Sequence, residues 1–423
     1  MPRATTASSS DTRSTGREPV DLEADVLIVG GGVAGSLMAA ALADRGLTAV
    51  LVDRGDPEKV RLAEADGRAY AIAVACKRVI EALGVWDAMA PHATPILDIH
   101  VTDGRAPFYL HYDHQDVGEG PMGYLIASTD MIRHAQAAIE TRDGVTFIAP
   151  MTVEAVERDA AGAQARLGDG RRVAARLVIA ADGRPSPTRE AAGIRTYGWS
   201  YGQTAIVCTV AHEKSHGFCA HEHFLPSGPF AILPMDGSGG GFKSSLVWTE
   251  TSELAPIMLG LNERDFLVEL ATRFGDFLGD IQVEGPRFSY PLGLQVAEAA
   301  VQSRLCLIAD AYHGMHPIAG QGLNMGIRDI AVLADVLDEA RSLGRDIGGL
   351  DVLRGYQRWR HPDNLMMLAA TDGLNRLFSN RIKPLRLARD LGLAAVDRLP
   401  ELKRFFMRDA MGLTGKLPTL MQG

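Results

Sequence analysis

Gly30, Gly32 and Gly35 stand at G-x-G-x-x-G spacing, directly after the apolar run Val26, Leu27, Ile28, Val29 and before an alanine-rich stretch. Strand, glycine turn and helix in that order form a dinucleotide cradle. Gly30 permits the tight turn, Gly32 lets a pyrophosphate approach the backbone, and Gly35 lets the helix lie close on the strand. The anion then faces a helix N-terminus, where free N–H groups and the helix dipole favour negative charge. Asp53, closing the next apolar run, is placed to accept hydrogen bonds from a ribose. The triplet alone does not separate FAD from NAD.

Two later stretches have the same logic. The apolar run 177–180 leads into Asp182 and Gly183, with Ser186 and Arg189 at three-residue steps beyond, at the carboxyl end of a buried strand where α/β sheets hold ligands. A second apolar run, 305–309, leads to Asp310, then to a loop with His313, His316 and Pro317, and Gly320-Gln321-Gly322-Leu323-Asn324 opens a long helix. Such an opening offers backbone N–H groups to a negatively charged ring edge. Arg68 precedes an expected helix in a segment able to fold back over the glycine loop, and reads either as a surface arginine or as a contact to cofactor phosphates or sugars.

The elements that must position these residues are legible in outline. The periodicity predicts helices over 77–89 and 130–141, the second capped by Asp130, short antiparallel strands over 97–126 and a β-meander over 145–180. Residues 196–290 turn aromatic and β-branched and read as a second, sheet-based domain with one helix at 261–278. The expected fold class is α/β: a Rossmann-like dinucleotide domain (22–78, 120–190 and 291–345) interleaved with a mostly antiparallel substrate domain (79–119 and 191–290), then a helical region at 346–423. Residues 1–21 form a polar leader too poor in apolar side chains to pack.

Bulk properties exclude some classes. A formal net charge of -9 argues against a nucleic-acid partner. The four cysteines, 76, 208, 219 and 306, form no C-x-x-C pair and read as reduced thiols of a cytoplasmic protein. His100, His111 and His114 match no standard metal spacing, so they are expected on solvent-facing strands and no metal is expected. Consecutive glycines inside the uncharged stretch 26–43 rule out a membrane span there. Residues 374–423 carry ten Lys or Arg against four acids, net +6, interleaved with Leu, Phe and Met. That amphipathic tail suits a membrane surface or a partner protein, or packs on the body.

Together, the motifs at 30–35, 182–189 and 309–324 resemble those of the FAD-dependent aromatic hydroxylases of the para-hydroxybenzoate hydroxylase fold. Stretches such as DGRAYAIA, GPFAILP and HPIAGQGLNMGIRD are similar to the ubiquinone-biosynthesis hydroxylases in particular, and the likeness runs from about residue 24 to 340. The resemblance implies FAD as cofactor, NADH or NADPH and O₂ as co-substrates, and hydroxylation of a prenylated phenol through a C4a-hydroperoxyflavin. It implies that Gly30, Gly32, Gly35 and Asp53 hold the ADP half, that Asp182 and Gly183 lie near the pyrophosphate and the passing nicotinamide, and that Asp310 binds the sugar chain. Arg68 falls near the flavin chain, and residues 317–324, including Pro317, Gly320, Gly322, Leu323 and Asn324, line the isoalloxazine. His316 is the residue to test as the base. Ala309 replaces a usual glycine, and Tyr312 stands where a small residue is common and is expected to alter access to the flavin. A prenylated phenol lives in the bilayer, so peripheral contact with the inner face of the membrane and with quinone-biosynthesis proteins is expected. Rival readings are hydroxylation of another aromatic, reduction of isoprenoid double bonds, and a catalytically idle FAD-holding subunit. A halogenase is disfavoured because W-x-W-x-I-P is missing.

Overall fold

The computed structural model describes residues 20–62, 67–104, 109–118, 120–236, 241–379 and 396–422. Strands β1 (Leu22–Val29), β2 (Ala49–Val52), β8 (Val145–Ile148), β11 (Arg172–Ala180) and β18 (Leu305–Leu307) form a parallel sheet in the order β18-β11-β1-β2-β8. Both faces are covered, so the strands read as continuous apolar runs: Val26, Leu27 and Ile28 are buried. The meander β9 (Val153–Arg158) and β10 (Ala163–Leu167) extends β11 antiparallel, and β17 (Val301–Gln302) pairs with β18.

A small sheet of β3 (Ala69–Ala73), β4 (Thr94–Ile96) and β7 (Gly123–Ala127) bridges to the second large sheet. That sheet runs β19-β16-β12-β15-β14-β13-β5-β6, from β5 (Asp98–Asp103), β6 (Tyr109–Asp113), β12 (Thr196–His212), β13 (Cys219–Leu225), β14 (Gly228–Asp236), β15 (Phe242–Thr251), β16 (Ile281–Ala297) and β19 (His313–Gly314). One face buries Phe230, Ile232, Leu246 and Trp248 under the helix Glu263–Phe274.

Several expectations are corrected. The 77–89 helix is two, Val74–Ala82 and Trp86–Met89, because Gly84 at φ 66° breaks it. The expected boundary at 78/79 cuts the first of these, whose Val79 and Ile80 belong to the dinucleotide-domain core, and the boundary at 290/291 cuts β16. The helix expected at 130 starts earlier, Ser128–Glu140, and Asp130 accepts from Arg133 instead of capping it. Residues 145–148 leave the meander to become the parallel edge strand β8. The leader's residues 1–19 lie outside the described residues. The end of the tail packs on the body: Met407 and Met411 cluster with Val74 and Met122, and Met421 enters the main core. Among the described residues, no helix is long and apolar enough to cross a membrane.

Candidate active site

Two helices, Val33–Ala43 and Gln321–Ser342, pack together and start at the carboxyl ends of β1 and β18. Neither has a side-chain cap on its first turn. At the first, the glycines divide their work. Gly30 has φ 109°, and a Cβ there would sit 2.4 Å from Ala181 O; one on Gly35 would sit 1.8 Å from Gly30 O. A Cβ on Gly32 would meet nothing within 4 Å, so this position faces open space in front of the helix. The glycine turn is pinned by Asp53, which accepts from Gly31 N at 2.5 Å and Gly55 N at 2.6 Å, and by Gln136, whose Nε2 donates to Gly31 O at 2.8 Å. Each Asp53 oxygen keeps a further lone pair for a ribose hydroxyl.

The loop after β11 is a buckle. Asp182 accepts from Ser186 Oγ and from Thr188 N, and Gly183 adopts φ 90°. Buried Arg189 donates to Arg184 O at 3.1 Å and to Ala311 O at 3.0 Å, which straps this loop to the one before the second helix.

That second loop hangs on distant partners. Asp310 is exposed, and the preceding Ala309 takes the left-handed φ of 51°, the conformation that makes glycine usual there. Asp329, fully buried, accepts from Ala309 N at 3.0 Å, His313 Nε2 at 2.7 Å and Arg360 Nε at 2.7 Å. Burial pulls its carboxyl up, but His313 and Arg360 outweigh that and hold it below the usual value. Asn324 is equally committed: its Oδ1 accepts from Ala73 N at 2.9 Å, and its Nδ2 donates to Ala71 O at 2.9 Å and Gly320 O at 3.1 Å. It therefore ties the helix start to β3, leaving Pro317, Gly320, Gly322 and Leu323 at the accessible rim. Tyr312 turns into the core, its hydroxyl 2.8 Å from His361 Nδ1, so it does not stand at the flavin entrance. His316 is fully buried, its Nδ1 accepts from Ile318 N at 3.3 Å, and burial pushes the ring down to about 4. Its Nε2 lacks a protein partner among the described residues. Arg68 is exposed just before β3, with its guanidinium 5.4 Å from the Tyr290 ring on β16.

The substrate sheet turns its other face toward this loop. Residues in register across β12, β15, β14, β13 and β5 form the row Val207, Val247, Ala231, Glu222, Val101. Phe224, two residues on from Glu222 and so on the same face, packs with Ile318, Phe378 and Val101. Glu222 is thus a carboxylate in an apolar row, and burial pushes it up to about 7. Sequence reasoning missed it, because a Glu flanked by His221 and His223 reads as a polar strand. It also missed Gln136 and Asp329, whose partners lie far along the chain.

The open glycines and uncapped helix starts fit a dinucleotide carrying a flavin. The family described as FAD binding domain matches residues 23–362. The chain is 52% identical over 410 residues to ubiquinone hydroxylase UbiL of Rhodospirillum rubrum, covering 95% of this chain and 94% of that one. It is 33% identical over 391 residues to 3-demethoxyubiquinol 3-hydroxylase of Escherichia coli, covering 92% and 98%. The structure of PqsL from P. aeruginosa in complex with 2-aminobenzoylacetate superposes with a TM-score of 0.73 at 25% identity, covering 88% and 100%.

Proposed function

The chain belongs to the FAD-binding monooxygenase family, and from that premise we propose that it hydroxylates the aromatic ring of a prenylated phenol in ubiquinone biosynthesis, with NADH or NADPH as reductant. The observation that carries the reading is the apolar sheet row holding Glu222, set opposite the loop that opens the second helix, in a chain related over nearly its full length to ubiquinone hydroxylases. Bound FAD supplies the redox chemistry, accepting a hydride and activating O₂.

The protein's own residues do the rest. Gly30, Gly32, Gly35 and Asp53 hold the ADP half, and the residues from Pro317 to Leu323 border the ring. Val207, Val247, Ala231 and Val101 exclude water, which protects a reactive oxygen donor from unproductive release. Glu222 accepts the phenol proton and makes the ring electron-rich. A carboxylate poised near 7 is a better base at neutral pH than an imidazole near 4, so we assign this role to Glu222 and a loop-shaping role to His316.

The tail helix Pro400–Ala410 buries Met407 and leaves Phe405 and Phe406 exposed beside Arg404 and Arg408. This pattern supports contact with an anionic membrane surface from which the substrate is drawn. The double substitution Phe405→Glu and Phe406→Glu abolishes flotation with anionic liposomes on this reading; unchanged flotation rejects membrane contact.

Purified protein should be yellow and should bleach with NAD(P)H in the absence of air. Adding a short-chain prenylated phenol in air should couple oxygen uptake to ring hydroxylation. Colourless protein that refuses FAD defeats the reading. Glu222→Gln should keep the flavin and its bleaching but lower the hydroxylation rate by about 10²–10⁴-fold, and it should remove an activity limb that rises with pH through about 7. The sign for stability is opposite. A carboxyl raised above its usual 4.5 contributes stability that is fully present below 4.5 and is lost as pH rises through about 7.

A further inference from the structure

The face of the substrate sheet turned away from the flavin loop carries a second row of residues in register. Cys208, Leu246 and Ile232 lie buried under the helix Glu263–Phe274, and the row continues across β13, β5 and β6 as His221, His100 and His111. Cys219 is two residues before His221, on the same face, opposite Asp98 of β5. His100 stands more than a hundred positions before Cys219 and His221 in the sequence, and the parallel pairing of β13 with β5 brings it beside them.

We propose that Cys219, His221 and His100 form a binding site for a zinc-class divalent cation, with water as the fourth ligand. Their ligand atoms all lie within 4.8 Å of one another, and all three residues are half-buried. A tetrahedral zinc site with bonds of about 2.0–2.3 Å places its donors roughly 3.3–3.8 Å apart, a distance that small side-chain rotations reach. One thiolate and two imidazoles select zinc over magnesium or calcium, which require oxygen donors. A ligand pair at i and i+2 on one strand, completed by an in-register residue of the next strand, puts three donors on one side of a rigid sheet.

The surroundings fit a cation. His111 Nε2 lies 2.6 Å from Asp98 Oδ1, and the His111 ring stands edge-on to His100 with centroids 4.6 Å apart, so a carboxylate–imidazole pair backs the site. The remaining groups facing it are Tyr109 on β6, His223 on β13 and the Phe277 ring against His221. By contrast, in the cluster of His92, Asp130 and His134, the carboxylate is already held by Arg133 at 2.9 Å, and that cation opposes a metal. Burial and the neighbouring rings push His221 down to about 3 and also lower His100, so both imidazoles are neutral and their lone pairs are available. The Cys219 thiol, pushed up to about 12 by burial and Asp98, must give its proton to solvent on loading. A bound ion would clamp the β5–β6 hairpin to β13, the strand that carries Glu222 on its opposite face.

The test is titration of chelator-treated, FAD-loaded full-length protein with Co²⁺ as the probe. One equivalent should give intense visible ligand-field bands to the red of the flavin absorption, displaced by one equivalent of Zn²⁺. Cys219→Ser should lose the thiolate signature and bind Zn²⁺ at least tenfold more weakly, and His100→Gln should keep the thiolate signature but weaken Zn²⁺ binding at least tenfold. His114→Gln, on the neighbouring turn, should titrate as the parent does. No tetrahedral bands at one equivalent, or parental Zn²⁺ affinity in both ligand variants, overturns the proposal. Neither result bears on the hydroxylase reading.

Discussion

The two helix starts at Val33 and Gln321 look alike, both lacking a side-chain cap, and are built differently. The first, at Val33, rests mainly on glycine sterics and nearby groups: Gly30 and Gly35 touch each other and Asp53 holds the turn through Gly31, with Ala181 and Gln136 as contacts from farther along the chain. The second, at Gln321, is held by residues from across the chain. Asn324 grips Ala71 and Ala73, Arg189 grips the loop at Ala311, and Asp329 joins Ala309, His313 and Arg360 in one buried cluster. The lesson is that a phosphate cradle can be encoded by local steric fit. The loop that opens the second helix is positioned instead by polar struts between segments distant in sequence.

If that contrast is right, breaking the charged strut at Asp329 should cost more than disturbing the local turn. Asp329→Asn removes the fully buried carboxylate charge from the Arg360 guanidinium, leaving it with the more exposed Asp363. It should destabilise the protein by about 3–5 kcal/mol in denaturant unfolding and should lower flavin occupancy as the loop loosens. Gly35→Ala brings a Cβ to 1.8 Å from Gly30 O, which forces the helix off the strand. The expected loss is about 1–3 kcal/mol, with FAD affinity falling at least tenfold in a fluorescence titration. Asn324→Ala removes the acceptor for Ala73 N and should cost about 1–3 kcal/mol, with the larger effect on ring hydroxylation than on FAD retention. If Asn324→Ala instead releases FAD while leaving turnover per bound flavin intact, the second helix start is a nucleotide cradle like the first, and the comparison fails. Ala309→Gly relieves a left-handed alanine and should raise stability by about 0.5–1 kcal/mol, visible as a higher Tm.

Much of this protein was legible one residue at a time. The steric demands at Gly30 and Gly35 follow from a turn and a close packing, and the structure puts backbone oxygen atoms where their side chains would be. Ala309 was visible as a departure from glycine, and its positive φ explains why that departure matters. Tyr312 was misread because a sequence gives a side chain no direction, and here the ring turns inward to His361. The tail was legible as amphipathic, with packing on the body among its readings, and the structure supplies the contacts: Thr419 N donates to Asp335 Oδ2 at 2.7 Å, and Met421 enters the core.

Local rules carried the cradle, the helix starts and the apolar strands, because φ preferences, glycine sterics and hydrophobic period act over a few residues. Residue types alone could not say that Glu222 would enter an apolar row, that His221 would lie beside His100, or that Asp329 would support the loop at Ala309. Those outcomes were decided by strand register and domain packing. They set burial and charge proximity, and through these the chemistry of each group, over separations that no local pattern spans.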